Sequence, residues 1–187
     1  GDVYKRQPMF DNMYAKRLKA YKQIGYELAC GLQIGKQTVN AIYDWDNYST
    51  YYHKDLLGAN NNIIISSPVI SGPKVYELIN LLKEKQMSGV QITIVTWAPD
   101  SYRFGDAAYW MQLHEDMRQA GFYIKTVEES CERFAVIDQE VVWYGNINLL
   151  AKDKVDDSIM RVMSKEIASE SVSYTHLRAH ETVLDLV

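Results

Sequence analysis

Cys131 and Arg133, two residues apart, open the part of this sequence where reactive side chains concentrate. Asp138 follows, and then Gly145, Asn146 and Asn148. On a strand, residues two apart point to one face, so Cys131 and Arg133 would meet the same ligand. A thiolate is a nucleophile, but an unperturbed thiol titrates near about 8.5 and moves protons less readily than imidazole at neutral pH. A guanidinium grips phosphate oxygens with a two-pronged fork. Asn146 and Asn148 can donate hydrogen bonds to such oxygens, and Gly145 would let backbone approach a ligand closely. Each residue also has a plainer reading. A buried cysteine is a small hydrophobe, and an aspartate suits a tight turn.

The elements that must hold these residues can be read from periodicity and punctuation. Residues 9–24 have helical spacing and a basic cluster, Lys16, Arg17, Lys19 and Lys22. That cluster is either a solvated face or a phosphate-facing patch. Gly31 to Thr38 imitates a phosphate-binding loop, but only three residues separate its glycines and Gln37 interrupts Lys36 and Thr38. That spacing excludes the nucleotide-binding loop. Downstream, helices are expected at 48–60, from Gly72-Pro73 to just before Gly89, and from an Asp106 cap to Ala120. Buried strands are expected at 63–65, 92–96 and 122–125. A hairpin follows, 134–137 and 141–144, turned by Asp138-Gln139-Glu140. A last helix starts near Ser164. The order β-α-β-α-β and then a hairpin predicts an α/β fold with a mixed sheet flanked by helices.

The termini are expected not to belong to this fold. One back-translation of residues 1–7 has a reverse complement that reads, in one frame, Val-Ser-Tyr-Thr-His-Leu between partial codons that fit Ser and Arg, matching residues 171–178. Both ends resemble a translated sequencing-library adapter, so 1–7 and 171–187 are set aside. Two of the four histidines, His176 and His180, fall in that stretch, leaving His53 and His114. His53-Lys54-Asp55 lies in a helix, and His114 reads as a surface or satisfied core histidine. The remaining organisation is a basic helical connector over 8–47 and a domain over 48–170, cut at its C-terminus.

Composition narrows the function classes. With 187 residues, 47% hydrophobic, and a net charge of −4, the chain has enough apolar material for a core. Its mild acidity argues against a polycationic nucleic-acid coat but permits a local basic patch. No apolar run is long enough to span a membrane. Two cysteines, Cys30 and Cys131, make no disulfide framework and suit a reducing, cytoplasmic setting. Trp97, Tyr102, Tyr109, Trp110, Trp143 and Tyr144 are either core or a surface for stacking bases.

The segment Cys131-Glu-Arg133-Phe-Ala-Val-Ile-Asp138, followed by Gly145-Asn146-Ile-Asn148, resembles the phospholipase D-like superfamily. That family's signature is His-x-Lys-x4-Asp and then Gly-Ser-x-Asn, and the spacing here is kept throughout. The resemblance covers roughly 48–170. From Lys16 to Glu170 the chain further resembles the C-terminal phospholipase D-like region of bacterial DEAD/DEAH-box helicases and restriction-type helicase subunits. The resemblance implies a phospholipase D-like mixed sheet, a phosphate site, and catalytic positions at 131, 133 and 138. Three positions depart from it: Cys131 stands for the histidine nucleophile, Arg133 for the lysine, and Asn146 for the serine.

These departures predict a degenerate module that binds a nucleic-acid backbone, DNA foremost, through Arg133, Gly145, Asn146 and Asn148, or that supports a motor. One alternative is an active phosphodiesterase or nuclease completed by a homodimer. Another is a purely structural interaction domain. No cofactor is expected in this stretch, with ATP and magnesium belonging only to an upstream helicase domain, and no membrane partner is expected.

Overall fold

Short runs of β-branched residues alternating with amphipathic stretches build one sheet with helices against it. The computed structural model describes residues 27–28, 41–102, 106–128, 131–152 and 157–173. The basic cluster Lys16, Arg17, Lys19 and Lys22, the rest of the expected 9–24 helix, the Gly31–Thr38 segment and the extreme termini lie outside them.

Strands β1 (Glu27–Leu28) and β2 (Ala41–Asp44) come first, then helix α1 (Tyr48–Gly58) and β3 (Asn62–Ser66). Helix α2 (Gly72–Met87), β4 (Gln91–Trp97), α3 (Ala107–Gln119) and β5 (Tyr123–Val127) follow. The chain closes with β6 (Phe134–Ile137), β7 (Val141–Gly145), β8 (Ser158–Met163) and helix α4 over 165–173. The expected signals act where they stand. Pro73 sits in the first turn of α2. The Asp106 carboxylate accepts from the Ala108 N–H at 2.9 Å and caps α3. Gly121, with φ of 84°, turns the chain out of α3 into β5.

Among the described residues the sheet has eight strands in the order β1-β2-β8-β7-β6-β3-β4-β5. Strands β3, β4 and β5 are parallel, while β6, β7, β8 and β2 alternate in direction from β3 outward. Two strands go beyond the expected pattern. β8 was not anticipated, because Arg161 interrupts its apolar run; it lies between β7 and β2. β2 falls within the stretch expected as a connector, yet it pairs along its whole length with β8.

The main core lies on one face of the sheet. There Tyr52, Leu56, Val75, Leu82, Leu113 and Met117 from α1, α2 and α3 pack on Ile63, Ile65, Ile92, Ile94, Ala135 and Trp143. A smaller cluster on the other face joins Phe134, Val136 and Val142 to Ala168 of α4, with Val172 and Ile64 at its edge. The alternation along β6 explains the division: Phe134 and Val136 serve one face, Ala135 and Ile137 the other. Burial on both faces makes β6 a run of four apolar residues.

Candidate functional site

The strand register collects several chain ends at one edge of the sheet. Ser66, Trp97 and Val127 end the parallel strands there. At the same edge Phe134 begins β6, Gly145 ends β7, Ser158 begins β8 and Asp44 ends β2. The C-terminal edge of parallel strands is where open α/β sheets place ligands. Cys131, Glu132 and Arg133 precede β6 at this edge, and Asn146 and Asn148 leave β7 beside them.

Residues 131–133 are not strand, contrary to the expectation of a shared pleat, because the ladder frays before β6. One hydrogen bond, Gly145 N–H to the Arg133 carbonyl at 3.4 Å, carries the pairing a residue past Phe134. The Cys131 Sγ lies 3.4 Å from the Ser66 Oγ and 3.7 Å from the Val95 carbonyl, whereas Arg133 turns to Asn148. The Arg133 Nε donates to the Asn148 Oδ1 at 2.9 Å. Arg133 is half-buried, and no carboxylate pairs with it among the described residues. The site therefore offers a guanidinium that is oriented but not neutralised.

Cys131 has the opposite character. Burial pushes its thiol up to about 11; the Ser66 hydroxyl and Arg133 oppose that rise and Glu132 adds to it. Among the described residues, Ser66 Oγ and the Val95 and Glu132 carbonyls are its hydrogen-bonding neighbours, so no base stands ready to take its proton. The Ser66 hydroxyl is itself committed to the Glu132 carbonyl at 2.6 Å.

Asp138 lies at the other end of β6 from Cys131. It stands with Gln139 in a left-handed turn, φ 52° and 55°. Its carboxylate accepts from the backbone N–H groups of Asn60, Asn61 and Asn62 at 2.8, 2.7 and 3.1 Å. Burial alone would raise its pKa. Those three donors and the Lys85 charge outweigh burial and hold the carboxyl below its ordinary value. Asp138 ties the α1–β3 connection to the hairpin and, among the described residues, bonds to no other candidate site residue.

Gly145 admits a neighbouring strand where a ligand was expected. A Cβ there would run into the Ser158 carbonyl oxygen and lie 2.7 Å from the Ile159 Cα. Its lack of a side chain lets β8 close on β7. Asn146 is exposed, and its backbone N–H donates to the Ser158 carbonyl at 3.0 Å.

The histidines lie on other elements. His53 of α1 is 3.7 Å from Glu77 of α2, and burial, only partly offset by Glu77, lowers its pKa. His114 is 1% exposed in α3, and neither ring nitrogen has a hydrogen-bond partner among the described residues. It is a core histidine, but not a satisfied one. The aromatic residues divide. Trp143 is fully buried, with its indole N–H on Asp55 at 2.9 Å, so no base can reach it. Trp97, Tyr102 and Trp110 pack on one another, the last two with ring centres 4.4 Å apart. Tyr109 and Tyr144 are well exposed. Sequence reasoning missed the buried ion pair of Asp55 and Arg161, at 2.6 Å. A lone arginine inside an apolar run was its one visible signal. No group of three or more histidine, cysteine or acidic residues among the described residues is arranged to hold a metal ion. No described helix is long and apolar enough to cross a membrane.

No protein-family model matches the sequence, and no curated protein matches it. Solved structures do. NucT from Helicobacter pylori superposes with a TM-score of 0.59 at 11% identity, over 75% of this chain and 95% of that one. Nuc from Salmonella typhimurium, a phospholipase D family member, gives 0.58 at 12% identity, over 74% and 93%. TrmBL2, an archaeal chromatin protein whose structure shows a novel mode of DNA binding, gives 0.56 at 9% identity, over 96% of this chain and 64% of that one. The chain has the phospholipase D-like fold, a mixed sheet flanked by helices.

Proposed function

We propose that this chain is a catalytically degenerate phospholipase D-like module that binds the phosphodiester backbone of a nucleic acid, DNA foremost. The observation that carries the reading is Arg133, half-buried, steered through its Nε by Asn148 and facing no carboxylate among the described residues. A cation held this way pays little further ordering entropy when a phosphate arrives. Cys131 supports the word degenerate. Its thiol is raised to about 11 and lacks a base, so the thiolate that cleavage would need is scarce at neutral pH. The same feature weighs against an active phosphodiesterase completed by a homodimer. A purely structural interaction domain would leave Arg133 without a ligand.

The resemblance of Lys16 to Glu170 to helicase C-terminal regions supports a parent enzyme, a bacterial helicase or restriction-type ATPase. ATP and magnesium would act in its motor domains. In that setting Lys16, Arg17, Lys19 and Lys22 add phosphate contacts, and the module works in the cytoplasm. The test is equilibrium binding of a labelled oligonucleotide over a range of salt. Wild type is expected to bind with affinity that falls as salt rises. Arg133→Ala is expected to weaken binding roughly tenfold and to make the salt dependence shallower by about one phosphate contact. Unchanged binding by Arg133→Ala would remove the site assignment. Cleavage of a phosphodiester substrate that Cys131→Ala abolishes would remove the degenerate reading.

A further inference from the structure

The sheet edge that carries Arg133 also carries an aromatic residue that the phosphate site does not use. Trp45 follows directly on β2 and is 41% exposed. Its backbone N–H donates to the Asp157 carbonyl at 3.1 Å, just ahead of β8. On the other side of the same chain, Asn146 N–H donates to the Ser158 carbonyl at 3.0 Å. Gly145 in turn pairs with the Arg133 carbonyl. Trp45 at the end of β2, Asn146 at the end of β7 and Arg133 ahead of β6 therefore stand along one edge, with β8 between the first two, so that three strand spacings of about 5 Å separate Trp45 from Arg133.

Trp45 differs from the other aromatic residues near this edge. Trp97, Tyr102, Tyr109 and Trp110 pack ring against ring, and the Tyr144 hydroxyl lies 3.4 Å from the Glu132 carboxylate. Among the described residues the Trp45 side chain has no ring contact and no hydrogen bond. Asp44 and Asp46 flank it, and Asp157 lies opposite. At the β2 end of the edge a ligand meets an uncharged aromatic face rather than a cation. Phosphate is favoured a few strands away, at Arg133.

We propose that Trp45 stacks a base of a single-stranded nucleic acid whose backbone rests on Arg133 and Asn148. The inference rests on the phosphate-binding reading above and adds the class of ligand to it. A base within a duplex is already stacked on both faces, so a strand that engages Trp45 must be unpaired there.

The experiment measures affinity of the full chain for four probes of one length: single-stranded DNA, the same sequence as RNA, its DNA duplex, and an abasic DNA strand. Wild type is expected to prefer either single strand to the duplex and to the abasic strand; the DNA and RNA arms decide which sugar is favoured. Trp45→Ala is expected to weaken single-strand binding roughly tenfold, to leave abasic binding unchanged and to keep the salt slope. Trp45→Phe is expected to restore most of the loss. Arg133→Ala, in contrast, should weaken all four probes and flatten the slope. If Trp45→Ala binds the single strand as wild type does while Arg133→Ala binds poorly, stacking is refuted and the phosphate site stands. If Arg133→Ala has no effect either, or wild type binds no probe, both fall. A wild-type preference for duplex also overturns the proposal.

Discussion

At the scale of single residues, identity and environment pull apart. Cys131 occupies the place of a nucleophile, yet the packing around it raises its thiol to about 11. Spacing could nominate it, but burial disarms it, and the Ser66 hydroxyl, 65 residues away in sequence, only partly opposes that rise. His114 is the sharper case. Burial, with Arg118 nearby, lowers its pKa from about 6.5 to about 4. In the folded chain it stays neutral down to that pH, whereas the unfolded chain takes up a proton below about 6.5. Its contribution to stability is therefore complete above pH 6.5 and is lost as pH falls toward 4. Urea denaturation across that window should give a stability slope approaching about 1.4 kcal/mol per pH unit from this group. His114→Leu should flatten it; an unchanged slope would place the titration elsewhere.

At the scale of elements, most of the fold was legible. The runs 63–65 and 92–96 and the hairpin are short, β-branched and punctuated, and they became β3, β4, β6 and β7 with shifts of a residue at their ends. Local signals sufficed there because caps and turns act within a few residues. β8 escaped because its arginine looks like solvent-facing polarity until Asp55 of α1 is placed against it. The hairpin turn shows what local reading leaves out. Asp138 reads as a turn residue, and it is one, but its carboxylate also gathers three N–H groups from the entry to β3. Asp138→Ala should lower unfolding free energy by about 1–3 kcal/mol, since those donors lose their acceptor. Nucleic-acid affinity, measured on the same variant while folded, should not change. A loss of affinity comparable to that of Arg133→Ala would bring Asp138 back into the binding site.

At the scale of the whole molecule, one buried ion pair joins the first helix to the far half of the sheet. Asp55 accepts from the Arg161 guanidinium at 2.6 and 3.0 Å and from the Trp143 indole at 2.9 Å. Arg161 is only 6% exposed, so removing the Asp55 carboxylate takes away the partner this buried charge has in α1. Asp55→Ala should cost about 3–5 kcal/mol, seen as a large drop in the thermal midpoint. A drop no larger than that of a surface substitution would contradict the burial. The pair also holds β8 in place, and β8 supplies the Ser158 carbonyl on which Asn146 rests at 3.0 Å.

From the order of its residues alone, this chain determines its layer architecture and the candidate positions 131, 133, 146 and 148. Both follow from regularities of a few residues: the period of a strand, the cap of a helix, the interval between two polar side chains. Only the tertiary structure decides what those positions can do. It pairs Arg133 with Asn148 across two strands, sends Asp138 to the opposite end of the sheet, closes β8 over Gly145 and leaves Trp45 partly exposed at the same edge. Burial and charge arise from residues far apart in sequence, and no interval along the chain encodes them.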